Sequence, residues 1–235
     1  MISLSEQQVL MRKVVREFVE NELAPIAQKI DEEDTCPVDL FKKTAQLGFN
    51  GVFVPAAYGG AGLGYTEMAI ILEGTARHAA GFGMGMVAHY MAVYAIMTWG
   101  TEEQKQKYLP MLCSGSFGGL SVTEPGGGSD FMGQKSTGQL VEDKWVLNGR
   151  KCFITNSHCM GVNVVSARTG EDSKGRPQLS VFIVEGGAAI LSRWSPPSAG
   201  WYSAIFFAPP HGPRWPASNP ACFRNRKETL SEPAK

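Results

Sequence analysis

The chain has 235 residues, of which 43% are hydrophobic and 19% are charged, a composition typical of a folded globular protein with one large domain or two small ones. Its 22 basic and 22 acidic residues balance, so the net charge favours neither nucleic acid nor an anionic membrane surface as a partner. The five cysteines are scattered and never closely paired, and the four histidines are dispersed, which argues against a metal site or a disulfide framework.

Helical patterns occupy the first part of the chain. Ser5 and Gln8 match a capping box, and the apolar residues between Leu10 and Phe18 recur at helical spacing. Pro25 is expected to break or kink this helix, because proline lacks the backbone N–H that a helix interior requires. Further helical patterns cover residues 38–47, 66–77, 83–97 and 102–112. Residues 1–112 are therefore predicted to form an all-α N-terminal domain.

The most apolar stretch, residues 81–99, bears on localisation. Glycines and His89 interrupt it and no charged flank anchors it, so we interpret it as a buried helix and expect no membrane span. His89 itself is interpreted as a core residue. The N-terminus lacks a basic region followed by an apolar core, so no secretory signal is expected. Together with the unpaired cysteines, these features predict a cytoplasmic protein.

Short β-favouring runs replace the helical patterns from about residue 113. They cover residues 117–122, 144–147, 151–155, 162–167 and 179–184, and segments rich in glycine, asparagine and serine separate them. Asn148-Gly149 is interpreted as a hairpin turn. Regularly spaced short strands predict an antiparallel β-barrel domain over residues 113–186, and helices followed by strands predict an α+β fold.

Residues 187–235 differ in composition from both of these regions. Prolines and tryptophans are frequent, and no helical or strand period continues beyond residues 203–208. Because proline at this density disfavours regular helix and sheet, the segment is predicted to be an irregular tail, either aberrant or disordered. The abrupt change near residues 186–192 motivates the hypothesis of a frameshift or a truncation, which would leave the β-barrel incomplete.

Two segments of the β region carry candidate chemistry. Residues 122–130 (VTEPGGGSD) place three glycines between Thr123 and Ser129, so backbone N–H groups and hydroxyls can approach a flat or phosphate-bearing ligand, although the same glycines suit an ordinary tight turn. Residues 147–156 (LNGRKCFITN) place Phe153 and Thr155 on one strand face by alternation, where a ring can stack and a hydroxyl can bond. Ordinary sheet shows the same pattern, and neither segment matches a P-loop or a dinucleotide fingerprint.

These segments resemble two signatures of the acyl-CoA dehydrogenase family, T-E-P-x-x-G-S-D and L-N-G-x-K-x-[FW]-I-T-N. Residues 55–62 (PAAYGGAG) resemble that family's P-E-x-x-G-G-x-G loop, with Ala56 in place of the usual glutamate. Residues 100–110 (GTEEQKQKYLP) resemble its G-[ST]-E-E-Q-K-x-x-Y-L-P helix. Four motifs in the family's order, within residues 5–185, make this resemblance highly specific.

The resemblance implies that FAD binds against the β-domain. Thr123 is then expected to hydrogen-bond the flavin, Phe153 to stack beside it, and Ser129 to contact either the substrate's pantetheine arm or the FAD pyrophosphate. The full set of implied cofactor-binding residues is Leu120, Val122, Thr123, Ser129, Phe153, Ile154 and Thr155. Glu124, Pro125 and Asp130 are interpreted as turn residues.

The resemblance also implies a reaction, the α,β-desaturation of an acyl-CoA thioester with hydride transfer to flavin N5. An electron-transfer flavoprotein-type acceptor and a homo-oligomer of the full-length protein are implied with it. The family's catalytic base lies on a C-terminal helical domain and nothing here matches it, so no catalytic residue is assigned and the chain alone is expected to be inactive. Two alternatives stay open, a related acyl-CoA oxidase-type flavoenzyme and a non-catalytic fragment with at most flavin binding.

Overall fold

The computed structural model of the chain describes residues 3–33, 35, 37–141 and 144–185, together with the backbone of three short strands at 191–194, 203–207 and 214–216. Within these residues a helical N-terminal domain precedes a curled β-sheet that forms half of a barrel. The α+β fold predicted from the order of helical and strand patterns is confirmed.

Six α-helices lie in the described part of the N-terminal domain. They are α1 (Glu6–Phe18), α2 (Ala24–Glu32), α3 (Val38–Gln46), α4 (Tyr65–Ala76), α5 (Ala80–Trp99) and α6 (Glu102–Cys113). The predicted capping box is confirmed at the start of α1: the Ser5 hydroxyl accepts from the Gln8 N–H at 3.2 Å, and the Gln8 side chain accepts from the Ser5 N–H at 3.0 Å. These bonds satisfy donors that the first helical turn leaves unpaired.

A π-helical turn, Val19–Leu23, joins α1 to α2. Pro25 therefore lies in the first turn of α2, where a residue needs no N–H donor. The wider turn shifts the helical register just before the proline, so the chain continues as helix and still accommodates the ring. The helix is therefore not broken at Pro25, and α2, which no helical pattern in the sequence indicated, follows the register shift.

Eight strands form one sheet in the described residues. They are β1 (Phe117–Ser121), β2 (Thr137–Val141), β3 (Lys144–Ile154), β4 (Met160–Glu171), β5 (Pro177–Glu185), β6 (Leu191–Trp194), β7 (Ser203–Phe207) and β8 (Arg214–Pro216). The order is β1-β4-β2-β3-β7-β6, with β5 also paired to β4 and β8 to β3. Most pairs are antiparallel as predicted, but β1 and β2 each run parallel to β4. Alternation of side chains cannot reveal this direction, because it is the same in both kinds of sheet.

Strands β6, β7 and β8 lie in the segment 187–235, which the sequence predicted to be an irregular tail. Strand β7 coincides with the last strand-like pattern in the sequence and pairs antiparallel with β3 and β6, while β8 pairs with β3. No strand pattern in the sequence indicated β6 or β8. The remaining residues of this segment lie outside the described part of the chain, so the tail and frameshift interpretations of them stay predictions.

The turn predicted at Asn148-Gly149 is wrong. Strand β3 runs through both residues without a break, and its hairpin partner is β2, which the sequence analysis did not predict. Gly149 has a φ of +155°, and a Cβ at this position would lie 2.2 Å from the Ser136 hydroxyl oxygen. Glycine is therefore required by the close approach of a neighbouring chain segment and not by a turn.

This close approach predicts a difference between two alanine substitutions. Gly149→Ala is expected to lower the free energy of unfolding by about 1–2 kcal/mol more than Gly127→Ala, because it adds an overlap with Ser136. Gly127 is the matched position: its φ is +151°, and a Cβ there would meet no atom within 4 Å. Urea denaturation of both variants measures the difference. Equal losses would show that the sheet relieves the overlap without cost.

Helix α5 is the central helix of the N-terminal domain. Phe82, Met86 and Ile96 on this helix are fully buried, and it packs against α4, α6 and β1. Among the described helices it is the one long and apolar enough to cross a membrane by length and composition, and 56% of its most apolar window is buried inside the protein. A helix that is apolar on all sides and largely buried is typical of a protein core.

Two buried polar side chains join α5 to β1. The Asn156 amide donates to the carbonyls of Gly85 at 2.8 Å and Gly118 at 3.0 Å. The ring of His89 accepts from the Gly118 N–H at Nδ1, at 3.1 Å, and its Nε2 lies 3.0 Å from the carbonyl of Asn50. Because a carbonyl can only accept, Nε2 carries the proton and the ring is neutral. The interpretation of His89 as a core residue is confirmed.

Candidate functional site

The two segments singled out in the sequence meet where β1 ends. The carbonyl of Thr123, two residues after β1, accepts a hydrogen bond from the backbone N–H of Cys152 in β3 at 2.9 Å. Phe153 is the next residue of β3. This main-chain bond brings the glycine-rich loop and the aromatic residue together, as a single binding site would require.

Phe153 occupies a β-bulge. Lys151 pairs with Ile205 and Ile154 pairs with Ser203, so β3 has one more residue than β7 between these pairs. The φ of Phe153 is +58°, a left-handed conformation that costs about 1–2 kcal/mol for a residue other than glycine. Its side chain is 62% exposed. Strained backbone conformations cluster at functional sites, so Phe153 is a candidate ligand contact.

The glycine-rich loop is open at its tip. Glu124 and Gly127 form a tight turn in which each N–H bonds the other residue's carbonyl, at 3.2 and 3.0 Å. A Cβ at Gly126 or Gly127 would meet no atom within 4 Å, so the backbone here can be approached closely. Ser129 is exposed. The Asp130 carboxylate accepts a backbone N–H three residues ahead at 3.0 Å, which confirms its interpretation as a turn acceptor.

The other predicted cofactor contacts differ in exposure. Leu120, Val122 and Thr155 are half-buried, whereas the Ile154 side chain is 1% exposed and belongs to the hydrophobic core. Strand β3 ends at Ile154, and Thr155 begins the turn that follows. The bulge at Phe153 also interrupts the alternation, so the prediction that Phe153 and Thr155 share one regular strand face is wrong. The roles of these residues toward a cofactor stay predictions.

A buried ion pair, which the sequence analysis did not predict, lies beneath the loop. The Lys151 ammonium is 2.8 Å from the Glu124 carboxylate, 2.6 Å from the Gln134 side-chain oxygen and 3.0 Å from the Val122 carbonyl. The side chains of Lys151 and Glu124 are 0% and 8% exposed. A single lysine in a β-favouring run gives little signal, because lysine on a strand usually faces solvent.

The contacts of this pair fit an ammonium group beside a carboxylate, because three hydrogen-bond acceptors surround the Lys151 Nζ. Burial raises the pKa of Glu124. Hydrogen bonds from Lys151, Ser136 and the backbone of Lys135 outweigh this effect and lower the pKa to about 2. Burial lowers the pKa of Lys151, and the adjacent Glu124 carboxylate partly offsets this effect. The pair is neutral as a unit, so it does not supply net charge to a ligand at the loop.

The motifs at residues 55–62 and 100–110 also contact each other. The Tyr58 hydroxyl donates to both carboxylate oxygens of Glu102 at 3.0 Å, which joins the glycine loop at residues 55–62 to the start of α6. Ala56, which stands where the family usually has glutamate, begins the short 3-10 turn Ala56–Tyr58. These motifs therefore contact each other within the helical domain.

Metal and thiol chemistry find little support in the described residues. No group of three or more His, Cys, Asp or Glu side chains in this part of the chain could hold a metal ion. Burial raises the pKa of the Cys113 thiol to about 11 and also raises that of Cys152. Thiols with raised pKa values are poor nucleophiles at neutral pH, which disfavours a reaction at these two cysteines.

Two domains of one known family match successive segments of the chain. Residues 5–116 match the N-terminal domain of acyl-CoA dehydrogenases, and residues 119–201 match the middle domain of the same enzymes. The first match covers the helices α1 to α6, and the second begins within β1. Both matches agree with the four motifs in the sequence.

Individual relatives give the same result. The chain is 39% identical over 193 residues to an acryloyl-CoA reductase (NADH) of Anaerotignum propionicum, covering 81% of this chain and 49% of that protein. It is 38% identical over 184 residues to an acyl-CoA dehydrogenase of Bacillus subtilis, covering 77% of this chain and 48% of that protein. An acyl-CoA dehydrogenase complexed with FAD from Bacillus anthracis superposes with a TM-score of 0.83 at 30% identity, over 95% of this chain and 39% of that one. The chain thus spans about half the length of the curated relatives it matches.

Proposed function

The chain belongs to the acyl-CoA dehydrogenase family of oxidoreductases, and we propose that its β-domain binds the flavin of FAD between residues 122–130 and Phe153. The main-chain bond from Cys152 to Thr123 carries the proposal, because it joins the residue before an exposed phenylalanine to the start of an open glycine loop. These groups fit a flat, polar-edged ring system. Phe153 offers a stacking face, and the loop backbone admits close approach.

Each predicted contact has a physical role in this site. Thr123 hydrogen-bonds the polar edge of the flavin, and Phe153 stacks on the ring and shields it from water. Ser129, exposed on the loop, contacts the pantetheine arm of the substrate or the FAD pyrophosphate. Leu120 and Val122 line the apolar side, and Thr155 adds a second hydroxyl. FAD held by these residues would supply a hydride acceptor for the β-carbon of the acyl chain.

For the whole protein we propose α,β-desaturation of an acyl-CoA thioester, with an electron-transfer flavoprotein-type acceptor, in a cytoplasmic homo-oligomer. None of the residues quoted above matches the family's catalytic glutamate, so we place the base that removes the α-proton outside them. The residues named here therefore support flavin binding and include no candidate for the base. Rapid reaction of the reduced whole protein with oxygen would favour the oxidase alternative.

Flavin binding is tested by incubating the purified chain with FAD, desalting it and recording its visible spectrum. We expect a retained flavin band at about 450 nm. Phe153→Ala is expected to raise the Kd for FAD about 2- to 10-fold, because one aromatic contact contributes about 0.5–1.5 kcal/mol. Quenching of flavin fluorescence during titration measures both dissociation constants.

Tyr94→Ala provides the control for this experiment. Tyr94 is an aromatic residue on α5 with 41% exposure, and it is not among the predicted cofactor contacts. Its removal should leave the Kd for FAD unchanged. A colourless wild-type chain after desalting would contradict flavin binding by this chain, and an unchanged Kd in Phe153→Ala would contradict the stacking role alone.

A further inference from the structure

We propose that Lys151 and Glu124 form a positioning pair for the flavin site, holding Thr123 and the start of the glycine-rich loop in place against β3. The inference rests on the proposed function, since it concerns the same site. Neither residue is among the predicted cofactor contacts, and both side chains are buried, at 0% and 8% exposure. Their effect on a ligand must therefore act through the residues that they hold.

The Lys151 ammonium bonds three different segments of the chain. Its acceptors are the Val122 carbonyl just after β1, the Glu124 carboxylate in the loop, and the Gln134 side-chain oxygen just before β2. An ammonium group has three N–H donors and no acceptor, so these three oxygens use its full capacity. A fully satisfied buried cation fixes the relative positions of all the groups that it bonds.

Thr123 lies between two residues that this ammonium holds. Val122 is fixed through its carbonyl at 3.0 Å, and Glu124 is fixed through its carboxylate at 2.8 Å. Thr123 itself accepts the N–H of Cys152, the residue after Lys151, at 2.9 Å. Two adjacent residues of β3 thus hold three consecutive residues of the loop, and Phe153 follows them directly.

The Glu124 carboxylate holds the other end of the same loop. One oxygen accepts the backbone N–H of Lys135 at 2.7 Å, and the other accepts the N–H of Ser136 at 3.0 Å as well as the Lys151 ammonium. The segment between residues 122 and 136 is therefore closed on one ion pair, while Ser129 near its tip is exposed. The pair sets where the loop starts and ends and leaves its tip free to meet a ligand.

Stability alone does not explain this arrangement. The free energy lost when two charges are removed from water largely cancels the free energy gained from their attraction. A buried ion pair therefore often stabilises a fold no more than apolar residues of similar size. What the pair supplies is a defined geometry, because a bonded ammonium and carboxylate tolerate little displacement. A chain in which both charges are removed together can therefore remain folded and still lose the placement of Thr123.

The test uses the full chain with Lys151→Met and Glu124→Gln combined, since either change alone would leave an unpaired buried charge. The glutamine keeps an oxygen that can accept a backbone N–H. We expect the double variant to unfold at nearly the wild-type urea concentration, to bind FAD at least about 10-fold more weakly, and to lose the resolved shoulders of the bound flavin band. Those shoulders report a rigid flavin environment, which a purely structural role elsewhere would not change.

The matched control is Lys107→Met combined with Glu185→Gln. This pair has the same chemistry and a 2.5 Å separation, but its side chains are 55% and 46% exposed and join α6 to β5. The control should keep the wild-type Kd and band shape. A folded double variant at Lys151 and Glu124 with wild-type FAD binding would overturn the positioning role and leave the proposed function intact. An unfolded one would overturn it too, by showing that the pair supports the whole fold. Failure of the wild-type chain to bind FAD would instead overturn the proposed function, and the positioning role with it.

Discussion

Replacing Phe41 with alanine is expected to lower the free energy of unfolding by about 3–5 kcal/mol, the loss typical of deleting a buried phenylalanine ring. Phe41 on α3 is fully buried. Its ring stacks on Phe82 of α5 at 4.3 Å and meets Phe117 of β1 edge-on at 3.9 Å. One side chain thus joins two helices and the first strand, and its removal leaves a cavity at the contact between the helical domain and the sheet.

The comparison for Phe41 is Phe131→Ala. Phe131 has the same side chain but is 42% exposed, so its removal is expected to change the free energy of unfolding by less than about 0.5 kcal/mol. Urea denaturation followed by both tryptophan fluorescence and far-UV circular dichroism measures the two losses. A loss below about 1.5 kcal/mol for Phe41→Ala, or two separate transitions in the wild type, would contradict a single cooperative core that spans helices and sheet.

Five of the six described α-helices could be predicted from the sequence because their signals are local, but α2, which follows Pro25, was not predicted. Apolar spacing, the capping box at Ser5 and the prolines act within a turn or two, so neighbouring residues decide them. The sheet depends on contacts between distant segments, and there the local signals misled. Asn-Gly is a strong hairpin signal, yet Gly149 is dictated by the approach of Ser136, and β2 is a short strand that contains the weak strand former Gly138.

The residues of the candidate site also differ in whether the local sequence could reveal them. Its predicted ligand contacts, the half-buried Thr123 and the exposed Ser129 and Phe153, were proposed from the motifs in which they occur. The left-handed backbone of Phe153 was not predicted, because it follows from the bulge in β3. The burial of Lys151 was not predicted either, because it follows from the loop that closes over β3. A residue that contacts a ligand can be recognised by its type and its motif. A residue that positions it is recognised only once the packing is known.

Acid is expected to destabilise the chain through His89. Burial lowers its pKa from about 6.5 to about 4, against a smaller opposing effect of the bond to the Asn50 carbonyl. Below pH 6.5 the unfolded chain binds a proton that the folded chain binds only near pH 4, so stability present above pH 6.5 is lost as the pH falls toward 4. The expected loss is about 3 kcal/mol, since each pH unit within this window is worth about 1.4 kcal/mol. Urea denaturation at several pH values between 7 and about 4.5 measures it.

His89→Gln tests the source of this loss. The variant should be less stable than wild type at pH 7 but should lose less stability between pH 6.5 and about 4.5. Tyr90→Phe is the control, because it removes a neighbouring buried hydrogen bond, from the tyrosine hydroxyl to the Phe49 carbonyl at 2.8 Å, without removing the histidine. It should keep the wild-type slope, and the same slope in His89→Gln would exclude His89 as the cause. Protonation would turn Nδ1 into a donor facing the Gly118 N–H donor. The acid sensitivity would therefore arise at the contact between α5 and β1, the strand that leads into the proposed flavin loop.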